Sequence, residues 1–430
     1  MLNWKETYKS RLVAAEDAVK HIKSGDHVVL QHACGEPRTL IEAMVERKDL
    51  RDVMVSHMAA IGPAEYAQEG LEENFRHNAF FAGTATRRAI HEGRADYISC
   101  FFSELPRAYR EHVSPDVALI HVSPPNKWGF CSLGVSVDYT KHVAEIANVV
   151  IAQVNEKMPK TYGDSFVHVN DIDFFVESTR DLIEIPIPNI GEVEKAIGQN
   201  VAGLIEDGST MQLGIGAIPD AVLNFLHDKK DLGIHTEMFS DGVIGLFEKG
   251  IINGKAKSIH PGKIVCSFVM GTSKLYDFVD DNPAVEFYTI DYTNDPYVIG
   301  KHDKMISINS AIQVDLLGQV CADTIGHKQY SAVGGQVDFV RGTSRSRGGK
   351  AIIAMPSTAG GGKYSRIVSL LDEGAAVTTS RYDVQFVVTE FGVADLRIKT
   401  NRQRAEELIK VSHPDFRSEL KAFAIQRKLF

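Results

Sequence analysis

The sequence predicts an α/β protein made of two similar open domains. Three observations carry this. Strand-like apolar runs alternate with helical segments, which argues for mostly parallel sheets. The alternation stops once, at a proline-bearing stretch, and then restarts. A segment early in the first half is also echoed early in the second.

Taken in order, Trp4, Tyr8, Leu12, Ala15, Val19 and Ile22 recur at steps of three and four, one apolar face of a helix that Gly25 stops. Residues 27–30 read as a short buried strand, followed by a turn with Gly35 and a helix over 38–46. Strands are expected at 53–60, 95–101, 117–122 and 149–154, with helical or partly helical segments at 63–70, 84–93 and 140–146. Residues 183–189, IEIPIPN, carry two prolines that a central strand does not tolerate. They read as the connection between halves and set expected domains of 1–185 and 186–430. Beyond them come a helix over 192–205, a strand at 211–213, a helix at 218–229 and strands at 235–238, 264–269 and 285–290. Two surface helices, 402–409 and 414–427, close the chain, the second with a proline in its first turn.

The echo is IKSGDHVVLQHACGEPRTLIEAM from Ile22 against IEDGSTMQLGIGAIPDAVLNFL from Ile205. Each runs helix end, Gly, strand, small-residue turn, Pro, helix. A weaker pair is NKWGFCSLG from Asn126 against DLLGQVCADTIG from Asp315. Any two βα units share such a pattern, so the alternative is coincidence. If the repeat is real, a ligand is expected in the cleft between the two domains.

Lys and Arg number 47 against 56 Asp and Glu, a net charge of 47 − 56 = −9. That balance argues against a general nucleic-acid or acidic-membrane binder, so an anionic ligand needs a local basic pocket. Cys34, Cys100, Cys131, Cys266 and Cys321 are dispersed and form no CxxC, which fits reduced thiols, and no zinc-ligand spacing occurs. The opening MLNWKETYKSR has no apolar signal core, and no run is long enough to span a bilayer. A cytoplasmic protein without a bound metal is expected.

Three stretches could carry chemistry. In Gln212-Leu213-Gly214-Ile215-Gly216, glycines after a strand let a ligand approach backbone N–H groups, and the following helix start favours an anion. The spacing is not GxGxxG, which argues against a dinucleotide, and a purely structural turn explains it equally well. Glu237 follows an apolar segment and precedes Ser240-Asp241-Gly242, placing it near a strand's carboxyl end. A carboxylate is ionised at neutral pH and needs no base to act as a nucleophile, although a surface or capping glutamate reads the same way. His235 is a possible partner or a core imidazole. The pair Gly334-Gly335 precedes a helix and could aim N–H groups at an oxyanion, or could simply be a loop. Arg341, Arg345, Arg347, Lys350, Lys363 and Arg366 follow, as a phosphate-binding cluster or a solvated face.

In order, LGIGAIP, HTEMFSDG, YTNDP, INSAIQVDLLGQV, GGQVDFVRG, MPSTAGGG and VTEFGVADLR resemble the acetyl-CoA hydrolase/transferase family over nearly the whole chain. HPGKIVCSFVMGTSKLYDFVDDNP and DPYVIGKHDKMISIN resemble members acting on 4-hydroxybutyrate. The resemblance implies two CoA-transferase domains of α/β fold with the active site in the cleft between them. It places the catalytic glutamate at Glu237 and coenzyme A contacts at Gln212, Leu213, Gly214, Ile215, Gly216, Ile312 and Gly335. It puts Asn294 and Gly334 on the substrate side. The family pattern has a lysine where this chain has Gly360, which leaves one phosphate contact unassigned. The implied activity moves CoA between acetyl-CoA and a short carboxylate, 4-hydroxybutyrate first, with acetyl-CoA or CoA as substrate and no permanent cofactor. Acetyl-CoA hydrolysis and transfer to butyrate or propionate are the alternatives, and a non-catalytic CoA-binding protein a remoter one. A homo-oligomer, dimer or tetramer, is expected.

Overall fold

The structure is a computed structural model and describes residues 4–430; the first three residues of the charged N-terminal stretch lie outside the described residues. The chain divides into two compact units. One takes the chain up to Pro186 together with Val265–Thr293; the other takes Ile187–Ile264 and Asn294–Phe430. This departs from a single division at 185/186, because the later segment supplies parts the first unit lacks. Its strand Val285–Phe287 pairs in parallel with Tyr162–Gly163, and the Tyr276 hydroxyl donates to Ile183 O at 2.5 Å.

In the first unit the long apolar runs form one parallel sheet. Its strands are β1 (His27–Leu30), β2 (Val53–His57), β3 (Phe75–Ala79), β4 (Ala95–Tyr97), β5 (Val117–Val122), β6 (Val149–Val154) and β7 (Phe174–Glu177). They lie in the order β7-β6-β5-β1-β2-β3-β4. β1 and β5 are buried along their full lengths, as both-face coverage of a parallel sheet requires. The expected helix over residues 4–22 is broken. It ends as α1 (Trp4–Ser10), Leu12 bridges Phe175 beside β7, and helix resumes at Ala15–Ala18. The backbone there pairs with β7 instead of continuing the helix: Phe175 N donates to Arg11 O (2.9 Å) and Val13 N to Phe175 O (3.0 Å), while the Arg11 guanidinium donates to the carbonyls of Val169, Asn170 and Ile172. Past β1, Glu36 is 2% exposed and accepts from the N–H groups of Ile61 (2.5 Å) and Gly62 (3.0 Å), so that acid is spent on holding a loop.

The second unit repeats the plan. Its strands are β8 (Thr210–Gln212), β9 (Gly233–Ile234), β10 (Met305–Asn309), β11 (Lys350–Ala354), β12 (Phe386–Thr389) and β13 (Gly392–Asp395). The order is β9-β8-β10-β11-β12-β13, parallel except for the closing antiparallel pair. The chain moves outward from β8 to β9 and returns to β10 on the other side. The carboxyl end of β8 is therefore a topological switch point, where open α/β sheets hold ligands. Helices α2 (Glu192–Ala202), α3 (Ala217–Asn224), α4 (Gly242–Glu248) and α5 (Gln336–Arg345) belong to this unit. So do α6 (Asn401–Val411) and α7 (Pro414–Gln426), which bury Leu408 and Leu420 in its core.

The weaker sequence echo has a matching geometry in each unit. Asn126 Oδ1 accepts from the N–H groups of Trp128 and Phe130, at 2.9 and 3.1 Å. Asp315 Oδ1 accepts from Leu317 and Gln319, at 3.0 and 2.9 Å. Each loop carries its glycine at the same place and angle, Gly129 at φ +86° and Gly318 at φ +87°.

Candidate active site

Two adjacent strand ends of the second unit carry residues 212–216 and Glu237, and Asn294 and Gly335 reach Glu237 from elsewhere in that unit. β8 hands the chain to Leu213-Gly214-Ile215-Gly216. Gly216 adopts φ +114°, ψ 178°, a conformation open to glycine and costly for other residues, and from it α3 begins. Gln212 is buried, and its Oε1 accepts from Ile308 N (3.1 Å) and Asn309 Nδ2 (3.3 Å) on β10. Its side chain locks the sheet, so any contact it makes with a ligand falls to its backbone. Leu213 is buried too, whereas Gly214 has open space where a Cβ would stand and Ile215 presents an exposed apolar side chain.

Met211 of β8 pairs with Ile234 of β9, and Glu237 lies three residues further on. A continuous strand over 235–238 is the sequence expectation. The structure instead has β9, a gap, and the short strand Met238–Phe239. Two side chains account for the gap. The fully buried Thr236 hydroxyl sits 2.7 Å from Met238 O and 3.1 Å from Leu213 O and donates to one of them. Lys257, 5% exposed, donates its Nζ to Ile234 O (2.8 Å) and Lys263 O (2.7 Å), supplying at this sheet edge a donor that a further strand would otherwise provide. Glu237 is thereby released from the ladder and left half-buried.

Its carboxylate is held from two sides. Asn294, fully buried, donates Nδ2 to Glu237 Oε2 at 2.9 Å, a charge-assisted bond of the stronger kind. Gly335 closes the other side. A Cβ at that position would overlap both Glu237 Oε2 and Asn294 Nδ2, so the absence of a side chain is what admits the pair. Asn294 thus meets the carboxylate of Glu237 itself. Gly334 stands at φ +53° and, with Gly335 as N-cap, leads into α5. Ile312 donates its N–H to Cys321 O (2.8 Å) and lines a cavity that also includes Val333 and Gln336, which flank the glycine pair. His235 is fully buried, its ring 4.7 Å from that of His302, and belongs to the core behind the site.

Sequence reasoning missed Thr236 and Lys257, which shape the loop bearing Glu237. Nothing in NGKAKSIHPGK sets Lys257 apart from its neighbouring lysines. Gly360 sits at φ +61°, where an added Cβ would press on the Tyr364 ring, so a lysine there is disfavoured by this backbone. Among the described residues no cluster of three His, Cys, Asp or Glu could hold a metal, and no helix is long and apolar enough to cross a membrane.

Residues 2–186 match the model of the acetyl-CoA hydrolase/transferase N-terminal domain, and residues 271–424 that of the C-terminal domain. The chain belongs to the acetyl-CoA hydrolase/transferase family. It is 59% identical over 421 residues to the 4-hydroxybutyrate coenzyme A transferase of Clostridium kluyveri, covering 97% of this chain and 98% of that protein. Among solved structures it is similar to the 4-hydroxybutyrate CoA-transferase of Porphyromonas gingivalis. That likeness has a TM-score of 0.86 and 44% identity over 99% of this chain and all of the other. RipA from Yersinia pestis superposes with a TM-score of 0.95 at 35% identity, with both chains fully covered.

Proposed function

We propose that the protein is an acyl-CoA:carboxylate CoA-transferase that moves CoA between acetyl-CoA and a short carboxylate, 4-hydroxybutyrate being the best-supported acceptor. The carrying observation is Glu237, a half-buried carboxylate freed from its strand, oriented by Asn294 and set against the backbone of Gly335.

The cycle is ping-pong. A Glu237 oxygen attacks the thioester carbonyl of acetyl-CoA, the C–S bond breaks, and CoA leaves as thiolate from a glutamyl–acetyl anhydride. The thiolate then attacks the glutamyl carbonyl and expels acetate, leaving a glutamyl-CoA thioester. The incoming carboxylate attacks that thioester and forms a second anhydride while the thiolate departs. Attack of the thiolate on the new acyl carbonyl releases acyl-CoA and restores Glu237. Every step passes through a tetrahedral oxyanion, for which backbone N–H groups at Gly216 or Gly335 are the candidate donors. Losing one such donor typically costs about a hundredfold in rate. The cycle consumes no proton and no metal. Hydrolysis is the same chemistry with water in place of the carboxylate, so exclusion of water from the anhydride separates the two outcomes.

The test is intact-mass analysis after mixing with acetyl-CoA alone. A CoA adduct that maps to Glu237 and disappears on adding 4-hydroxybutyrate is the expected result. Glu237→Gln, which keeps the shape and loses the nucleophile, is expected to form no adduct and to lose at least about a thousandfold in kcat. An adduct on another residue, or thiol release that ignores the carboxylate acceptor, overturns the reading.

A further inference from the structure

Six basic residues follow the glycine pair, and the second unit occupies four of them. Arg347 pairs with Asp303, Lys350 with Glu206 (2.8 Å) and Arg341 with Asp383 (3.6 Å), while Arg345 lies over the Tyr297 ring. Lys363 and Arg366 remain; Lys363 covers the ring of its neighbour Tyr364, at 5.1 Å, and lines the same cavity as Arg366. Arg366 donates Nε to Ile312 O at 3.1 Å, and among the described residues no carboxylate forms an ion pair with it. Glu390 acts on it electrostatically, but both oxygens of that carboxylate are engaged by Ser357, through Oγ at 2.5 Å and N at 2.8 Å. Burial lowers the Arg366 pKa, yet a guanidinium stays charged in a protein. Glu390 keeps its charge under those bonds but forms no ion pair with Arg366, and a partly buried cation without a directly paired carboxylate is suited to receive an anion.

Arg366 is also a wall common to two cavities. The inner one, about 300 Å³, has Arg366 as its single charged residue among those described, and Val333 and Gln336 stand at its edge beside the glycine pair that abuts Glu237. The outer one, about 710 Å³, shares Ile312, Tyr330 and Arg366 and adds Lys363. Its acids are Asp372, which accepts from Gln313 Nε2 at 2.7 Å, and Glu419. For an elongated donor with its thioester at Glu237 that runs through the inner cavity, Arg366 is the one cation lining that cavity among the described residues.

The geometry points to Arg366 as the anchor for a phosphate group of the acyl-CoA donor, with Lys363 beyond it in the outer cavity. This rests on the CoA-transferase reading and adds the residue that tells CoA from its phosphate-free arm. The experiment is calorimetric titration of free CoA, 3′-dephospho-CoA and pantetheine into the wild type, Arg366→Gln and Arg366→Lys. The wild type is expected to bind CoA about 10- to 100-fold more tightly than pantetheine, as one charge-assisted contact allows. Arg366→Gln should shrink that gap to about threefold or less, and Arg366→Lys, which keeps the charge and loses the planar fork, should retain part of it. A loss on going to 3′-dephospho-CoA that the wild type shows and Arg366→Gln does not assigns Arg366 to the 3′-phosphate, and such a loss seen only with pantetheine assigns it to the diphosphate. A wild type indifferent to the phosphates, or an Arg366→Gln gap equal to the wild-type gap, overturns the proposal. The two readings fail separately. Arg366-dependent CoA binding without an adduct at Glu237 removes the transferase and keeps the anchor; an adduct with an unchanged gap removes the anchor alone.

Discussion

At Gly335 a missing side chain is what lets a carboxylate and an amide meet. Gly335→Ala puts a methyl group into space already taken by Glu237 Oε2 and Asn294 Nδ2, so the proposed nucleophile must swing away. Displacement of a reacting group by about 1 Å costs on the order of a hundredfold in rate. Turnover of acetyl-CoA by Gly335→Ala is therefore expected to fall by about that factor, with the melting temperature close to wild type because the clash is local. Steady-state kinetics beside a thermal melt check this, and unchanged turnover would show that the carboxylate does not work from its observed position. Glu237 was legible only as a candidate: its residue type and place near a strand end suit a capping or surface glutamate as well, and the resemblance singled it out. Its partner's duty was not. Asn294 could be assigned to the substrate by resemblance, but only coordinates bring its amide to 2.9 Å from Glu237.

The edge strand β9 is two residues long and delivers Glu237, yet part of what holds it comes from a side chain far along the sequence. Lys257 meets the carbonyls of Ile234 and Lys263 in place of a neighbouring strand. Lys257→Met leaves both carbonyls without that donor and is expected to destabilise the fold by roughly 2–4 kcal/mol. Urea denaturation measures this, and a stability equal to wild type would mean that water or a shifted loop replaces the ammonium. Hydrophobic patterning identified β1, β5 and β6 of the first sheet, because burial on both faces writes continuous apolar runs such as 117–122 and 149–154, but it passed over β3 and, in the second sheet, the interior strands β10, β11 and β12. It ran 235–238 together as one strand, since the period of apolar residues carries no record of a hydroxyl or an ammonium that captures backbone carbonyls. The same blindness joined residues 4–22 into one helix, where the backbone of residues 11–13 pairs with Phe175 of β7 instead. The loops at Asn126 and Asp315 show the reverse case, a faint sequence echo with matching hydrogen bonds in both units.

For the molecule as a whole, the segment Val265–Thr293 is tied to the rest of the first unit by a titratable link. His142 Nε2 lies 3.1 Å from Asp291 Oδ1, and Nδ1 lies 3.6 Å from Glu145. Half-burial lowers the imidazole pKa, but the bonds to Asp291 and Glu145 outweigh it and raise the value to about 9. Arg110, 3.1 Å from Nδ1, works against the protonated form, yet two carboxylates prevail over one guanidinium. Because the folded value exceeds the ordinary histidine value of 6.5, the link stabilises fully below pH 6.5 and is lost as the pH rises through about 9. After screening by solvent, this is worth about 1 kcal/mol. His142→Gln should accordingly be less stable than wild type at pH 6, with the deficit closing towards pH 9. Denaturation midpoints across that range test it, and a deficit independent of pH would assign His142 to packing alone. The division of the chain has a last consequence, for the order in which the protein is made. The first unit needs residues up to Thr293, so a ribosome that has passed Pro186 must add another 293 − 186 = 107 residues before that unit can close. At ordinary elongation speeds this is a wait of roughly 5–20 s. Asn294 is the next residue to be added, so the amide that holds the Glu237 carboxylate is synthesised only once the first unit has all of its chain.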